Sequence, residues 1–317
     1  MGDPNGVGAE LTAKLLCRKA LPAAAEILLL GDERVLAEGE RVAGARVARP
    51  PVRFVAVPGL DESARTPGRA NAAAGRWVIE GLKQAARAVR AGEADAIVFA
   101  PLNKQAMKLG GLEHPDEQHL LAELLEAKGY TVEFNVIDQL WTSRVTSHIP
   151  LRDVAASLSA TGVADAVRVI DRALRQGGVE RPRVAVAALN PHAGEGGTMG
   201  REEIDVIAPG IEAARREGID ARGPLPADTV FIAAKRGDYD AVVTMYHDQG
   251  QIAMKLMGFD RGVTVLGGLP VPIATCAHGT AYDIVGKNVA NTVPLGNAFA
   301  LAARMALRAR QADHKET

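Results

Sequence analysis

Three histidines follow short apolar runs: His148 comes after VTS, His192 after VAVAALNP and His247 after AVVTMY. Such runs read as strands, so each imidazole is predicted at a strand's end. Neutral imidazole is a common ligand of borderline divalent metals, and three of them leave coordination positions open for a substrate. The chemistry implied is Lewis-acid activation of a substrate oxygen. The competing reading makes each histidine a hydrogen-bonded polar residue near the core. Spacing does not decide between the two, because ligands on different strands meet only through the fold. Lys104, Asp228, Asp248 and Lys255 are the ionisable groups nearest these segments. They are either proton carriers and substrate anchors or solvated surface charges, and Lys104 and Asp228 are the candidates for proton transfer.

Glycine-rich turns accompany these residues. LNPHAGEGGTMGREEID places Gly194, Gly196, Gly197 and Gly200 between His192 and a predicted helix. Glycines allow close backbone approach, and the helix start near Arg201–Glu203 is suited to an anion. A surface turn with a helix cap fits the same residues. The opening GDPNGVGAE has similar logic but is not a GxGxxG fingerprint, so an ordinary dinucleotide site is not indicated there. It opens on a turn with no strand before it, which raises the expectation that the native protein carries residues ahead of Met1. Late in the chain, HGTAYDIVGKN (His278 to Asn288) combines a histidine, a tight turn and a short predicted helix. Such a turn can present backbone and an imidazole to an adenine ring, or can be a capped loop.

The elements that must position these groups alternate along the chain. Strands are predicted at Glu26–Leu30, Val52–Val57, Ala94–Ala100, Val132–Ile137, Val145–Ser147, Arg183–Ala188, Ala241–Met245 and Val263–Leu266. Amphipathic helices are predicted at Ala72–Ala91, His119–Ala127, Gly162–Arg175, Glu202–Arg216 and Leu295–Arg310. The alternation points to βαβ units and a mainly parallel sheet, with ligands at the carboxyl ends of strands.

Length and composition set the limits. The chain has 317 residues, 47% of them hydrophobic, enough for two α/β domains without disulfides. A formal net charge of -1 provides no global field for nucleic acid or an anionic membrane, and neither partner is expected. No apolar run has the length of a membrane span. Two cysteines outside any CxxC pattern suit a reduced, cytoplasmic compartment.

GDPNGVGAE, VTSHIPLRDV, LNPHAGEGGTMGREEID, GPLPADTVF, MYHDQG, KLMGFDRGV and HGTAYDIVGK, in this order over nearly the whole chain, resemble the 4-hydroxythreonine-4-phosphate dehydrogenase family. The resemblance implies an α/β, two-domain subunit with mainly parallel sheets, similar to the isocitrate/isopropylmalate dehydrogenase-like fold. Residues 1–120 with 265–317 would form a nucleotide-binding domain, and 121–264 a metal and dimerisation domain. It further implies a homodimer, a role in pyridoxine biosynthesis, and NAD or NADP near His278, Gly279, Thr280 and Asp283. A divalent metal, zinc above magnesium, manganese or cobalt, would be bound by His148, His192 and His247, the last coming from the partner subunit.

The resemblance fails at substrate-contacting positions. The family's phosphate signature Gly-His-Thr-Glu is replaced by Asp116-Glu117-Gln118-His119, so that Glu117 and Gln118 stand for its His and Thr. Lys255 is kept, an Asn becomes Thr264, and an Arg in a late loop becomes Ile273. Positive charge is lost and negative charge gained where a phosphate would sit. The expected function is therefore metal-dependent, NAD(P)-linked oxidation of a secondary alcohol in a small hydroxy acid, with decarboxylation, on a substrate that differs from the family's. The alternatives are a dihydrodiol carboxylate dehydrogenase of the terephthalate type and a phosphate-handling acyltransferase of related architecture.

Overall fold

The computed structural model describes residues 1–17, 25–48 and 51–316, without the side chains of 259 and 313–316. The chain divides into two compact units, Met1–Ala127 with Leu269–Ala306 and Lys128–Gly268 with Leu307–Thr317.

In the first unit, β1 (Ile27–Gly31) pairs in parallel with β2 (Val52–Ala56), and β3 (Ile97–Phe99) pairs in parallel with β10 (Ile273–Cys276). Around them run α1 (Gly8–Leu16), α2 (Glu33–Ala43), α3 (Ala72–Arg90), α4 (Lys104–Leu109) and α5 (Glu117–Leu124). Local chemistry sets the helix starts: Asp32, Asn71, Asn103 and Asp116 each accept a backbone N–H in the first turn. The helix α3 buries Trp77, Val78 and Leu82, and the Trp77 indole donates to Val57 O at 3.0 Å.

In the second unit the strand order is β9 (Val263–Gly267), β4 (Val132–Ile137), β5 (Leu140–Arg144), β8 (Ala241–Thr244), β6 (Arg183–Ala187) and β7 (Asp220–Leu225). The strand β4 is antiparallel to both neighbours, and the rest are parallel. Its helices are α6 (Val154–Ser157), α7 (Ala160–Gly177), α8 (Ala208–Arg216), α9 (Ala227–Lys235) and α10 (His247–Gly258). The central strands β6 and β8 are almost wholly buried, as continuous apolar runs between helices should be. Trp141 packs tilted on Phe134, ring centroids 5.8 Å apart. The last helix, α11, spans Val293–Glu316.

The expected α/β class with mainly parallel sheets is the class observed. Three strands differ from the sequence reading. The strand sought at Val145–Ser147 lies earlier, at Leu140–Arg144, although Val145 and Thr146 N–H still bond to Thr244 O and Met245 O. The strands β7 and β10 were not predicted. The helix expected over Glu202–Arg216 opens with a π-helical turn, Glu203–Ile207. Among the described residues, no helix is long and apolar enough to cross a membrane.

Candidate active site

The second unit gathers two of the three histidines. Val145 and Thr146 carry β5 onward against the end of β8, so the segment that holds His148 stays beside the one that holds His247. The two ring centroids are 5.4 Å apart and the rings are inclined by 42°. His247 opens α10, and its Nδ1 lies 2.6 Å from Asp248 Oδ1, a contact that orients the ring and leaves Nε2 for a ligand. Gln249 ties strand ends together, accepting from Met245 N and donating from its side-chain amide to Ala188 O, both at 2.7 Å.

His192 is held differently. After β6 the backbone passes through five consecutive left-handed residues, His192 to Gly196, with φ of 52, 54, 75, 43 and 66°. Glycine tolerates this at 194 and 196, but His192, Ala193 and Glu195 are strained by about 1–2 kcal/mol each. Glu203 provides the compensation. Buried at 2% exposure, its carboxylate accepts from Leu189 N (2.8 Å), Asn190 N (2.7 Å) and Asn190 Nδ2 (3.0 Å). Hydrogen bonds to a charged group contribute about 1.5–3 kcal/mol each, enough to offset the turn. Burial pushes the Glu203 carboxyl up, but the Asn190 side chain and backbone N–H donors outweigh it and hold it below its ordinary value. The fit is close: a Cβ on Gly194 would stand 2.6 Å from Glu203 Oε2. His148 is also left-handed, φ 50°. Strain of this kind concentrates at functional positions.

The fit to a metal is partial within one chain. Imidazole donors suit the expected divalent ion, and two of them are adjacent. Among the described residues, however, no three His, Cys, Asp or Glu side chains are grouped closely enough to hold a metal. Within one chain His148 and His247 lie side by side, and His192 is exposed on its own turn.

The remaining predicted residues of this unit are spread out. Lys255 lies two turns along α10 from His247, and Asp228 is exposed in the first turn of α9. Thr264 is half-buried in β9 opposite Asn135.

In the first unit, Asp116 caps α5, accepting from His119 N (3.1 Å) and contacting His119 Nδ1 (2.7 Å). Burial raises the Asp116 carboxyl, and the His119 contacts more than reverse it, leaving it below its ordinary value. Glu117 and Gln118 are buried in the first turn of α5. Lys104 opens α4 and faces Glu117 across 3.8 Å. The α5 start therefore already carries two carboxylates, one paired with a lysine, where a helix N-terminus would otherwise favour an external anion. Ile273, expected in a loop, is the first residue of β10 and is fully buried, paired with Ile97.

The late HGTAYD segment packs on the opening turn. Val7 N donates to Thr280 O at 3.0 Å, and a Cβ on Gly6 would stand 2.9 Å from Thr280 Cβ. His278 Nδ1 lies 3.0 Å from Gly279 O, its buried Nε2 has no hydrogen bond among the described residues, and Asp283 is exposed. The Tyr282 hydroxyl donates to Asp3 Oδ2 at 2.6 Å. Burial raises Asp3 despite that bond, and burial together with Asp3 raises the Tyr282 hydroxyl. The Asp3–Tyr282 pair and Glu203 were missed from sequence. The signal for Glu203 was its place after the glycine-rich loop, which reads equally as a helix cap.

With this geometry in hand, comparison with known proteins is informative. Residues 21–302 match the family described as pyridoxal phosphate biosynthetic protein PdxA. A Pseudomonas aeruginosa protein, provisionally named 4-hydroxythreonine-4-phosphate dehydrogenase 2, is 49% identical, with 96% of this chain and 95% of that one covered. D-threonate 4-phosphate dehydrogenase of Salmonella typhimurium is 38% identical over 96% of this chain and 97% of its own. Among solved structures, 4-hydroxythreonine-4-phosphate dehydrogenase from Klebsiella pneumoniae superposes with a TM-score of 0.82 at 35% identity, covering 96% of each chain. These relatives are named dehydrogenases, oxidoreductases acting on a CH–OH group. The family match extends through both units, and the chain belongs to the 4-hydroxythreonine-4-phosphate dehydrogenase family.

Proposed function

We propose that this oxidoreductase oxidises the secondary alcohol of a small hydroxy acid with NAD or NADP, followed by decarboxylation, and that its preferred substrate lacks a phosphate. The observation that carries the substrate preference is the α5 start, where Asp116 and Glu117 replace an anion-receptive surface with carboxylates. A phosphate dianion there would meet like charge. A terephthalate 1,2-cis-dihydrodiol dehydrogenase from Burkholderia xenovorans, 30% identical with a TM-score of 0.68, supports the existence of such a branch within this fold.

His148, His192 and His247 would hold a divalent metal, zinc first, whose contribution when bound is Lewis-acid polarisation of the substrate hydroxyl. His278, Gly279, Thr280 and Asp283 would hold NAD(P), which would supply a hydride acceptor. Lys104 and Asp228 are the proposed proton carriers, and Lys255 and Thr264 the proposed substrate contacts. A homodimer fits the ligand count, since among the described residues of one chain only a pair of the three histidines lies side by side. It also fits the apolar surface near that pair. Ile149 and Leu151 follow His148 and are 39% and 69% exposed, and Ile252 and Leu256, four residues apart on α10, are 61% and 85% exposed. Free Cys17 and Cys276 suit the cytoplasm.

The test is a turnover screen of phosphorylated and unphosphorylated hydroxy acids, read by nicotinamide absorbance, with metal content from mass spectrometry. Faster turnover of a phosphorylated acid would overturn the substrate preference. Purified protein that stays metal-free after zinc loading would overturn the metal's role.

A further inference from the structure

In the second unit the ladder between β6 and β8 stops before the two strands end. Among the described residues its last paired positions are Val186 and Val243. On its other edge β8 stays paired, with Val145 N and Thr146 N donating to Thr244 O and Met245 O at 2.9 and 3.1 Å. Carboxyl ends where strands cease to pair are where α/β sheets receive ligands, so a continued ladder would close that space. The cost falls on Met245 N–H and the Ala188 carbonyl, which belong to fully buried residues and cannot turn to water.

One side chain satisfies both. Gln249 Oε1 accepts from Met245 N, and Gln249 Nε2 donates to Ala188 O, each at 2.7 Å. Close packing of α10 on β8 sets the reach, because a Cβ on Gly250 would stand 3.2 Å from Thr244 Oγ1. The chain of bonds continues on either side: Thr146 Oγ1 donates to Met245 O and Ala188 N donates to Leu225 O, both at 2.7 Å. It thus runs from the end of β5 through β8 and β6 to β7. All three histidine segments leave from it. His148 follows Thr146 by two residues, His247 follows Met245 by two, and His192 follows Ala188 by four.

Helix capping accounts for half of this arrangement. A glutamine in the first turn of a helix that reaches back to a preceding N–H closes the helix start. Capping does not account for the other arm, which goes to a carbonyl 61 residues away on a different strand. We propose that Gln249 is a positioning residue. Its amide stands in for the missing rung between β6 and β8 and holds the segments that carry His192 and His247 at one spacing. The effect on metal binding rests on the proposed role of the histidines as ligands, whereas the brace itself does not.

Two replacements separate a brace from a cap. Gln249→Glu keeps an acceptor for Met245 N at a helix start that favours negative charge, but it has no donor for Ala188 O. Gln249→Met is of similar length and loses both arms. The amides of Leu189 and Asn190 lead into the His192 turn. Relative to the amides of β4, they should exchange about 10-fold faster in both variants. Met245 N should quicken only in Gln249→Met. Exchange at Leu189 and Asn190 that keeps the wild-type rate overturns the proposal and leaves Gln249 as a cap. Zinc affinity of the metal-stripped protein, measured against a chromophoric chelator, should fall about 10-fold in Gln249→Met. With cobalt(II) in place of zinc, the visible absorption bands should shift, since they report ligand geometry. A wild type that binds zinc and a Gln249→Met that matches it in affinity and spectrum overturn the positioning role. A wild type that binds no zinc, with Leu189 and Asn190 still quickened in the variants, removes the metal reading and leaves the brace standing. Should Gln249→Met fail to fold, exchange in Gln249→Glu decides.

Discussion

The two units use buried carboxylates in opposite ways. In the second, Glu203 is met by three N–H donors and serves as scaffolding, holding a left-handed turn that presents His192. In the first, Asp116 and Glu117 occupy a helix start, and under the proposed function they would set the charge that an incoming acid meets. The scaffold does not depend on which acid is bound, whereas the helix start does. If both proposed roles hold, chemistry and substrate choice would be able to diverge separately, each through its own few residues.

Five substitutions bear on this comparison. His192→Ala removes an imidazole that the scaffold exists to present. Turnover should fall by at least about 10³-fold with the circular dichroism spectrum unchanged; retained turnover would break the link between turn and chemistry. If the proposed homodimer uses this surface, Leu256→Glu should convert it to monomer in light scattering and lower activity about 100-fold, whereas a monomeric enzyme at full activity would show that no second copy is needed.

Glu203→Gln should destabilise by about 1–3 kcal/mol in urea titration and reduce metal affinity about 10-fold or more. Its pH dependence has a definite sign. The folded carboxyl is held below the ordinary glutamate range, so its contribution is complete above that range and disappears as pH falls through the folded value. The stability gap between wild type and Glu203→Gln should therefore narrow on acidification, and a gap that widens contradicts the scaffold role.

Glu117→Gln addresses the other unit. The ratio of kcat/KM for phosphorylated over unphosphorylated acids should rise about 10-fold, with activity on the preferred acid changed less. Tyr282→Phe should have the smallest effect, about 1 kcal/mol, by deleting the bond to Asp3. A large loss there would give the opening turn a weight that its geometry does not suggest.

Apolar runs made most of the fold legible. Ala241–Thr244 is buried on both faces and announces itself as an apolar run, and Val132–Ile137 announces itself by alternating buried apolar residues with half-buried Glu133 and Asn135. The strand β7, DARGPL, does not, because it lies at the sheet's edge with exposed charges and a proline. The LWTSR of β5 is hidden for another reason: Thr142, Ser143 and Arg144 are buried despite being polar, and Arg144 is satisfied by Glu133 at 2.7 Å. At the site, the strand-end histidines were visible as residue types. That His148 and His247 are neighbours was not, since nearly a hundred residues separate them and the parallel pairing of β5 with β8 brings them together. The left-handed turn was implied only weakly by glycine density, because three of its strained residues carry side chains.

The two tryptophans divide evenly, Trp77 in the first unit and Trp141 in the second, and both are buried. The protein therefore carries one tryptophan fluorophore per unit. With Trp141→Phe only the first unit would report, and with Trp77→Phe only the second. Following emission through a denaturant series in each variant would show whether the units melt as one cooperative block or in sequence.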